Sequence, residues 1–217
     1  HTCMPDAYPE APTGTTILLT GAMSKMGIYG FVRILVPIFG AQMHALLKPL
    51  LILAVLSIVL SAYSALAQRD LKRIFAYSSI NHLGLCLLAI SALVSTANTD
   101  PAQKYAALSG ALLQTLNHAL TAAVVFWFIA LLEQRTNGAR FLSDFGGHRR
   151  IAPVFAGLMG IALFSSLGLP GLTGFPSEFL IFKGAFPLAP RASSIATLGL
   201  LLTAIFILTV IQRVFTG

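Results

Sequence analysis

The chain has 217 residues, 56% of them hydrophobic and only 10% charged, against about 25% charged in a soluble domain. Its apolar residues fall in runs of 20 or more, enough to cross ~30 Å of hydrocarbon, so the composition excludes a soluble enzyme and identifies a polytopic membrane protein. The net charge of +7 is no argument for nucleic acid, because the basic residues occupy short loops between apolar runs, where they set topology.

Six spans are read in chain order, at roughly 14–39, 49–68, 72–94, 105–132, 151–183 and 193–214. Lipid admits only helices or closed barrels, and no run shows the alternation of barrel strands. The fold class is therefore all-α, a transmembrane helix bundle forming one domain over residues 1–217. The chain opens on His1 and stays hydrophobic nearly to its end, which reads as a piece of a longer membrane chain. Cys3 and Cys86 are the only cysteines, so neither a disulfide framework nor a metal-ligand spacing is expected.

Residues 1–13 are read as a loop. Loops on their side carry Arg69, Lys72, Arg73, Arg135, Arg140, Arg149 and Arg150, with Arg213 at the last span's end. The other side carries Lys48, Lys104, Lys183 and Arg191, with Arg33 near a helix end. The excess places residues 1–13 in the cytoplasm. Asp70, Lys72 and Arg73 form a charged knot between two spans, which Asp6 and Glu10 are placed to pair with.

The first span, 14–39, carries Lys25 near its middle, with Gly21, Gly27 and Gly30 around it. A lysine at that depth costs ~2.5–3.5 kcal/mol on insertion scales, and such residues mark ion or proton pathways. The structural alternative is a static lysine paired with a buried carboxylate. The small residues allow close helix approach and form a milder version of a break, loosening the helix beside the lysine.

The third span carries His82, four residues after Ser78 and three after Ser79. The fourth carries His118, four after Gln114 and next to Asn117. Residues four apart share a helix face, so each histidine sits on a polar patch of an apolar helix. Imidazole can relay a proton near neutral pH. The alternative is a histidine held for packing and hydrogen bonding.

The fifth span contains Gly168, Pro170, Gly171, Gly174 and Pro176, followed by Glu178. That density of glycine and proline interrupts a helix. Irregular backbone at membrane depth is tolerated only where it lines a cavity or is packed in protein, and broken helices are a feature of transporters. The alternative is two half-spans joined by a surface loop. Glu178 is expected at a half-helix start, where the helix dipole favours an anion, as a proton donor or acceptor or as a structural cap.

No dinucleotide fingerprint or Walker loop is present, and no cysteine cluster for iron–sulfur centres. No redox, catalytic or metal site is expected on this chain. Lys25, His82, His118 and Glu178 are the candidate proton-transfer groups, with Ser78, Gln114 and Asn117 as polar support.

These same residues carry a family resemblance. His1-Thr-Cys-Met-Pro5-Asp6-Ala-Tyr-Pro-Glu10-Ala11-Pro12-Thr13 resembles the HTWLPDAHxEAPT segment of antiporter-like membrane subunits. Ser24-Lys25-Met26-Gly27-Ile-Tyr29-Gly30 is similar to their next helix. Asp70-Leu-Lys72-Arg73-Ile-Phe-Ala76-Tyr77-Ser78-Ser79-Ile-Asn-His82 is similar to their DLKRxxAYSSxxH segment, Asn117-His118-Ala-Leu-Thr-Ala-Ala to their HGLxxA helix, and Leu169-Pro170-Gly171-Leu-Thr-Gly174-Phe175-Pro-Ser-Glu178-Phe179 to their LPGxxGFxxEF broken helix. The nearest type is chain M of proton-translocating NADH-quinone oxidoreductase (respiratory complex I).

The resemblance implies a 14-helix fold with two inverted five-helix repeats, of which this chain would hold the eighth to thirteenth helices. Lys25 would connect two half-channels, His82 and His118 would belong to a central polar axis, and Glu178 would end the second half-channel. Glu at 178 fits chain M, where sister subunits tend to have Lys. Cys3, Tyr8 and Ser177 depart from the usual Trp, His and Gly.

Further implications are other membrane and peripheral subunits as partners and a bacterial inner membrane as location. NADH, FMN, iron–sulfur clusters and quinone would lie on partner chains. A multi-subunit cation/proton antiporter subunit, a hydrogenase membrane arm and a scaffold without transport remain competing readings.

Overall fold

The structure, a computed structural model, describes residues 3–95 and 100–216. His1 and Thr2, which open the first motif, lie outside the described residues. All regular elements among the described residues are helical, with a single β-bridge between Asp70 and Phe141.

The opening segment differs from the expected loop. Met4–Glu10 forms a short helix, α1, started by Pro5, and it buries Tyr8 against Phe126, the rings meeting edge to face at 5.6 Å. A proline in the first turn gives up an amide that has no partner there anyway.

The first apolar stretch is segmented. It runs as α2 (Thr13–Leu18), a π-helical turn (Leu19–Met23), α3 (Ser24–Gly30), a second π-helical turn (Phe31–Leu35) and α4 (Val36–Ile38), and breaks at Phe39 before α5 (Gly40–Ala45). Wide turns of this kind inside helices recur at functional sites. Of the three glycines, only Gly21 meets a neighbour: a Cβ there would lie 3.7 Å from that of Ala123. Gly27 and Gly30 face open space. The close approach expected from all three holds at Gly21 alone.

Two straight helices follow, α6 (Leu47–Ala67) and α7 (Leu71–Leu93). Asp70 starts α7 by accepting from the Lys72 and Arg73 amides at 2.9 and 3.4 Å, which satisfies two donors that a helix start leaves open. Next comes α8 (Pro101–Arg135), whose 35 residues extend for about 52 Å, well beyond the hydrocarbon thickness.

A short α9 (His148–Ile151) leads to α10 (Pro153–Ser166), a break, α11 (Gly174–Leu188) and α12 (Pro190–Ile211), which closes in a π-helical turn (Gln212–Thr216). Among the described residues, four helices are long and apolar enough to cross a membrane: Leu47–Ala67, Leu71–Leu93, Pro101–Arg135 and Pro190–Thr216. The stretch 14–39 stays helical as far as Ile38 but widens in two π-helical turns, and 151–183 is interrupted between Ser166 and Gly174, where its glycines and prolines predict a break.

The break between α10 and α11 is built by glycine. Gly168 has φ +74° and Gly171 φ +97°. The Gly168 amide bonds back to Ser165 O, and the Leu169 amide to Phe164 O, each at 3.2 Å. This is the Schellman ending of a helix, with glycine at the left-handed position. The other side of α11 packs closely on α8, where a Cβ on Gly184 would fall 2.4 Å from the Ala107 nitrogen. Small residues replace the hydrophobic drive that lipid removes.

The interior has two apolar cores. One gathers Leu71–Ala76 of α7, Val125–Leu132 of α8, α10 and the end of α12. The other gathers Leu83–Ala92 of α7, Ala107 and Ala111 of α8, and Ile181–Leu188 of α11. Between them each helix carries its buried polar residues: Ser78 to His82 on α7, Gln114 to His118 on α8, Ser177 and Glu178 on α11, and Thr203 on α12. The site is the layer where these polar residues coincide.

Candidate functional site

His82 is the centre of this layer. It is 2% exposed, about 16 Å along α7 from its first residue. Its Nδ1 lies 3.0 Å from Gln114 Nε2 and 3.6 Å from Glu178 Oε1. Its ring is 4.7 Å from the ring of His118, tilted by 35°. Three helices separated in sequence thus converge on one imidazole: α7 supplies it, α8 an amide and a second imidazole, and α11 a carboxyl group.

The next contacts hold this arrangement in place. Ser177 Oγ donates to Gln114 Oε1 at 2.5 Å and lies 2.8 Å from Gly174 O. Asn117 Nδ2 donates to Ser177 Oγ at 3.2 Å and also to the Thr173 carbonyl in the break. Thr173 Oγ1 in turn lies 2.9 Å from Ser165 Oγ. Hydrogen bonds through Ser177, and through the carbonyl and hydroxyl of Thr173, therefore tie α8 to both halves of the broken helix.

Beside them lies a cavity of about 10 Å³, lined by both imidazoles, Gln114, Asn117, Thr121 and Gly174. That is at the lower bound for one water. The Nε2 atoms of His82 and His118 are buried and make no hydrogen bond among the described residues.

Glu178 is placed by its backbone. It is the fifth residue of α11, so it points back into the break. A Cβ on Gly168 would sit 2.4 Å from Glu178 Oε2. Only a residue without a side chain leaves the carboxyl group room to face His82.

Lys25 is 7% exposed and is held within its own helix. Its Nζ donates to the Thr20 carbonyl and, at 3.1 Å, to Ser24 Oγ. Thr20 lies in the first π-helical turn, where widened spacing lets a carbonyl turn toward a side chain five residues on. No carboxylate among the described residues forms an ion pair with Lys25. The lysine lies outside the hydrogen-bonded cluster around His82. The Thr20 hydroxyl reaches Ser79 Oγ at 3.3 Å, and so links the lysine's helix to α7.

Of the supporting residues, Gln114 and Asn117 bond within the cluster. Ser78 is buried but makes no hydrogen bond to it; its neighbour Ser79 bonds to Thr20 on the lysine's helix, outside the cluster. Reading by spacing missed Ser177, Thr173, Ser165 and Thr20. The only signal for Ser177 was its place next to Glu178.

The charged knot is a network. Lys72 Nζ lies 3.0 Å from Glu133 Oε1 at the end of α8, Arg140 Nε 2.9 Å from Asp70 Oδ2, and Arg73 Nη2 3.8 Å from Asp6 Oδ1. Thr13 donates to Glu133 at 3.2 Å. Lys72 is buried in the first turn of α7, at the start of the span read from residue 72. Asp6 pairs with the knot as expected, but from a helix.

The family model described as NADH:quinone oxidoreductase/Mrp antiporter, TM matches residues 1–205. The chain belongs to this family. It is 34% identical over all 217 residues to NADH-quinone oxidoreductase subunit M of Rickettsia felis, covering 42% of that protein. The chain thus spans less than half the length of this curated relative. Among solved structures, it superposes on respiratory complex I from Thermus thermophilus with TM-score 0.84 and 28% identity, over 95% of this chain and 42% of that one. It superposes on the Mrp complex from Dietzia sp. with TM-score 0.87 and 20% identity, over 100% of this chain and 39% of that one, a likeness of fold.

Proposed function

We propose that the chain is the proton-conducting part of a membrane subunit of NADH-quinone oxidoreductase. Electron transfer by NADH, FMN, iron–sulfur clusters and quinone on partner subunits would drive it. The observation that supports this reading most is the contact of His82 with Gln114, Glu178 and His118 in one buried layer between two apolar cores. Ionisable groups inside a membrane protein are expensive and mark relays.

In this reading a proton on Glu178 passes to His82 Nδ1, the atom 3.6 Å from its carboxyl oxygen, as that nitrogen gives up the hydrogen bond it accepts from Gln114 Nε2. Gln114 holds the ring so that this nitrogen faces the carboxyl group. Water in the adjoining cavity carries the proton between the two imidazoles. The ammonium of Lys25 sets the electrostatic bias: while charged, it opposes a second cation at His82 or His118, and losing its proton removes the opposition. The six-crossing topology, with residues 1–13 on the cytoplasmic side of a bacterial inner membrane, belongs to the same proposal. So does the place of this piece in a 14-helix fold with inverted repeats.

The test uses the full-length subunit in its complex, in inverted membrane vesicles. Lys25→Ala and Glu178→Gln are expected to cut proton pumping at least tenfold while the complex assembles. Pumping at wild-type efficiency in Lys25→Ala would remove the assignment. Sodium-dependent exchange without electron transfer would instead favour the antiporter reading, which the shared family description keeps open.

A further inference from the structure

Away from the polar layer, at the end of the bundle opposite the Asp70 network, lies the largest of the described cavities, about 790 Å³. It is a groove between the first halves of α6 and α12, floored by the end of α11. Its walls are apolar: Leu51, Ile52 and Val55 from α6, Ala192 and Ile195 from α12. Ile52 and Ile195 are about half exposed. The volume lies within the range of ligand-sized sites, ~300–1,000 Å³.

The mouth of the groove is cationic. Lys48 and Arg191 are the second residues of α6 and α12, so they stand at the same end of the groove. Both are exposed, and neither forms an ion pair among the described residues. No carboxylate lines the groove. Neither helix start is capped by a side chain, so the amides there add to the positive field.

We infer that this groove binds an anionic glycerophospholipid, its phosphate held between Lys48 and Arg191 and an acyl chain lying along Leu51, Ile52, Val55 and Ile195. The two halves of the site match the two halves of such a molecule. A free anion leaves the apolar walls unfilled, and an apolar helix leaves the two cations unmatched. Basic residues beside anionic headgroups each strengthen binding several-fold. The site is independent of the proton-conduction reading, because none of its residues belongs to the polar layer.

The test is lipid retention by the full-length subunit in its complex, purified after equilibration with vesicles of equal phosphatidylglycerol and phosphatidylcholine and counted by native mass spectrometry. The wild type is expected to retain phosphatidylglycerol over phosphatidylcholine by on the order of 10- to 30-fold, from two cationic contacts. The double variant Lys48→Gln/Arg191→Gln, changed at exposed positions, should lose that preference. Ala192→Phe, which fills the groove, should lose both lipids.

Equal retention of the two lipids by the wild type overturns the inference, as does an unchanged preference in the double variant. Displacement of the lipid by excess inorganic phosphate alone marks a free-anion site and also overturns it. So does failure to retain lipid together with an Ile52→Cys variant that a maleimide cannot label, because protein then covers the groove.

Discussion

Two interrupted helices carry the two groups of greatest interest, and they are interrupted in opposite ways. The helix around Lys25 never stops. Its hydrogen bonds widen into π-helical turns at Leu19–Met23 and Phe31–Leu35, and the lysine finds its partners, Thr20 and Ser24, within its own helix. The helix leading to Glu178 stops outright at Gly168 and restarts at Gly174, and Glu178 is held by other elements. The first interruption lets a helix satisfy a buried cation alone. The second turns a helix start inward, so that a carboxyl group can share a histidine with α7 and α8. The carboxyl group of Glu178 is thus placed between helices, and the amine of Lys25 is held by one.

The sharpest test of this contrast is a methyl group added to each helix. Gly174→Ala puts a Cβ 2.0 Å from the Ser165 carbonyl oxygen. We expect a loss of about 3 kcal/mol or more from overpacking, read as a collapse in the yield of folded full-length protein. Gly27→Ala meets nothing within 4 Å and should be neutral or stabilising by up to about 1 kcal/mol. Equal damage from both would show that the two interruptions are alike.

Gly168→Ala is next in size. It combines a left-handed backbone, costing about 1–2 kcal/mol for a residue with a Cβ, with a collision at Glu178 Oε2. Proton pumping should fall severalfold in complexes that still assemble. Normal pumping would mean that the Glu178 position is not needed.

Gln114→Leu separates His82 and Ser177 from their shared partner. Leaving buried polar groups unpaired costs about 1–3 kcal/mol, visible as a lower melting temperature of the purified protein. An unchanged melting curve would count against the interhelical network. The smallest effect is expected for Thr20→Val, which removes the hydroxyl contact to Ser79 but keeps the carbonyl that holds Lys25. Stability should fall by less than about 1.5 kcal/mol, with pumping retained. Loss of pumping there would mean that the Thr20 hydroxyl, and not its carbonyl, is what Lys25 depends on.

Much of this architecture is legible in residue order because each signal is local. Asp70 before Leu71 marks a helix start. The glycines and prolines from 168 to 176 mark a break. Spacings of four place Gln114 with His118 on one face of α8. The same spacing misleads at Ser78, because a shared face does not say which neighbour the face meets, and Ser79 is the residue that reaches across to Thr20. Ser177 shows the same limit from the other side. Its partners, Gln114 and Asn117, are 63 and 60 residues away, and no local pattern links them. Around Lys25 the glycines signal a loosened helix, but not where it widens, since π-helical turns need no residue type that an ordinary helix forbids.

The order of residues alone determined that this chain belongs in a membrane, that its secondary structure is helical, and that one helix breaks before Glu178. Lipid leaves no other backbone solution, and glycine and proline act on their own turn. Which buried groups meet was decided only by tertiary packing. The two apolar cores set the height at which α7, α8 and α11 present their polar residues to one another. That registration, summed over many weak contacts between distant helices, brings Glu178 and Gln114 to the same nitrogen of His82.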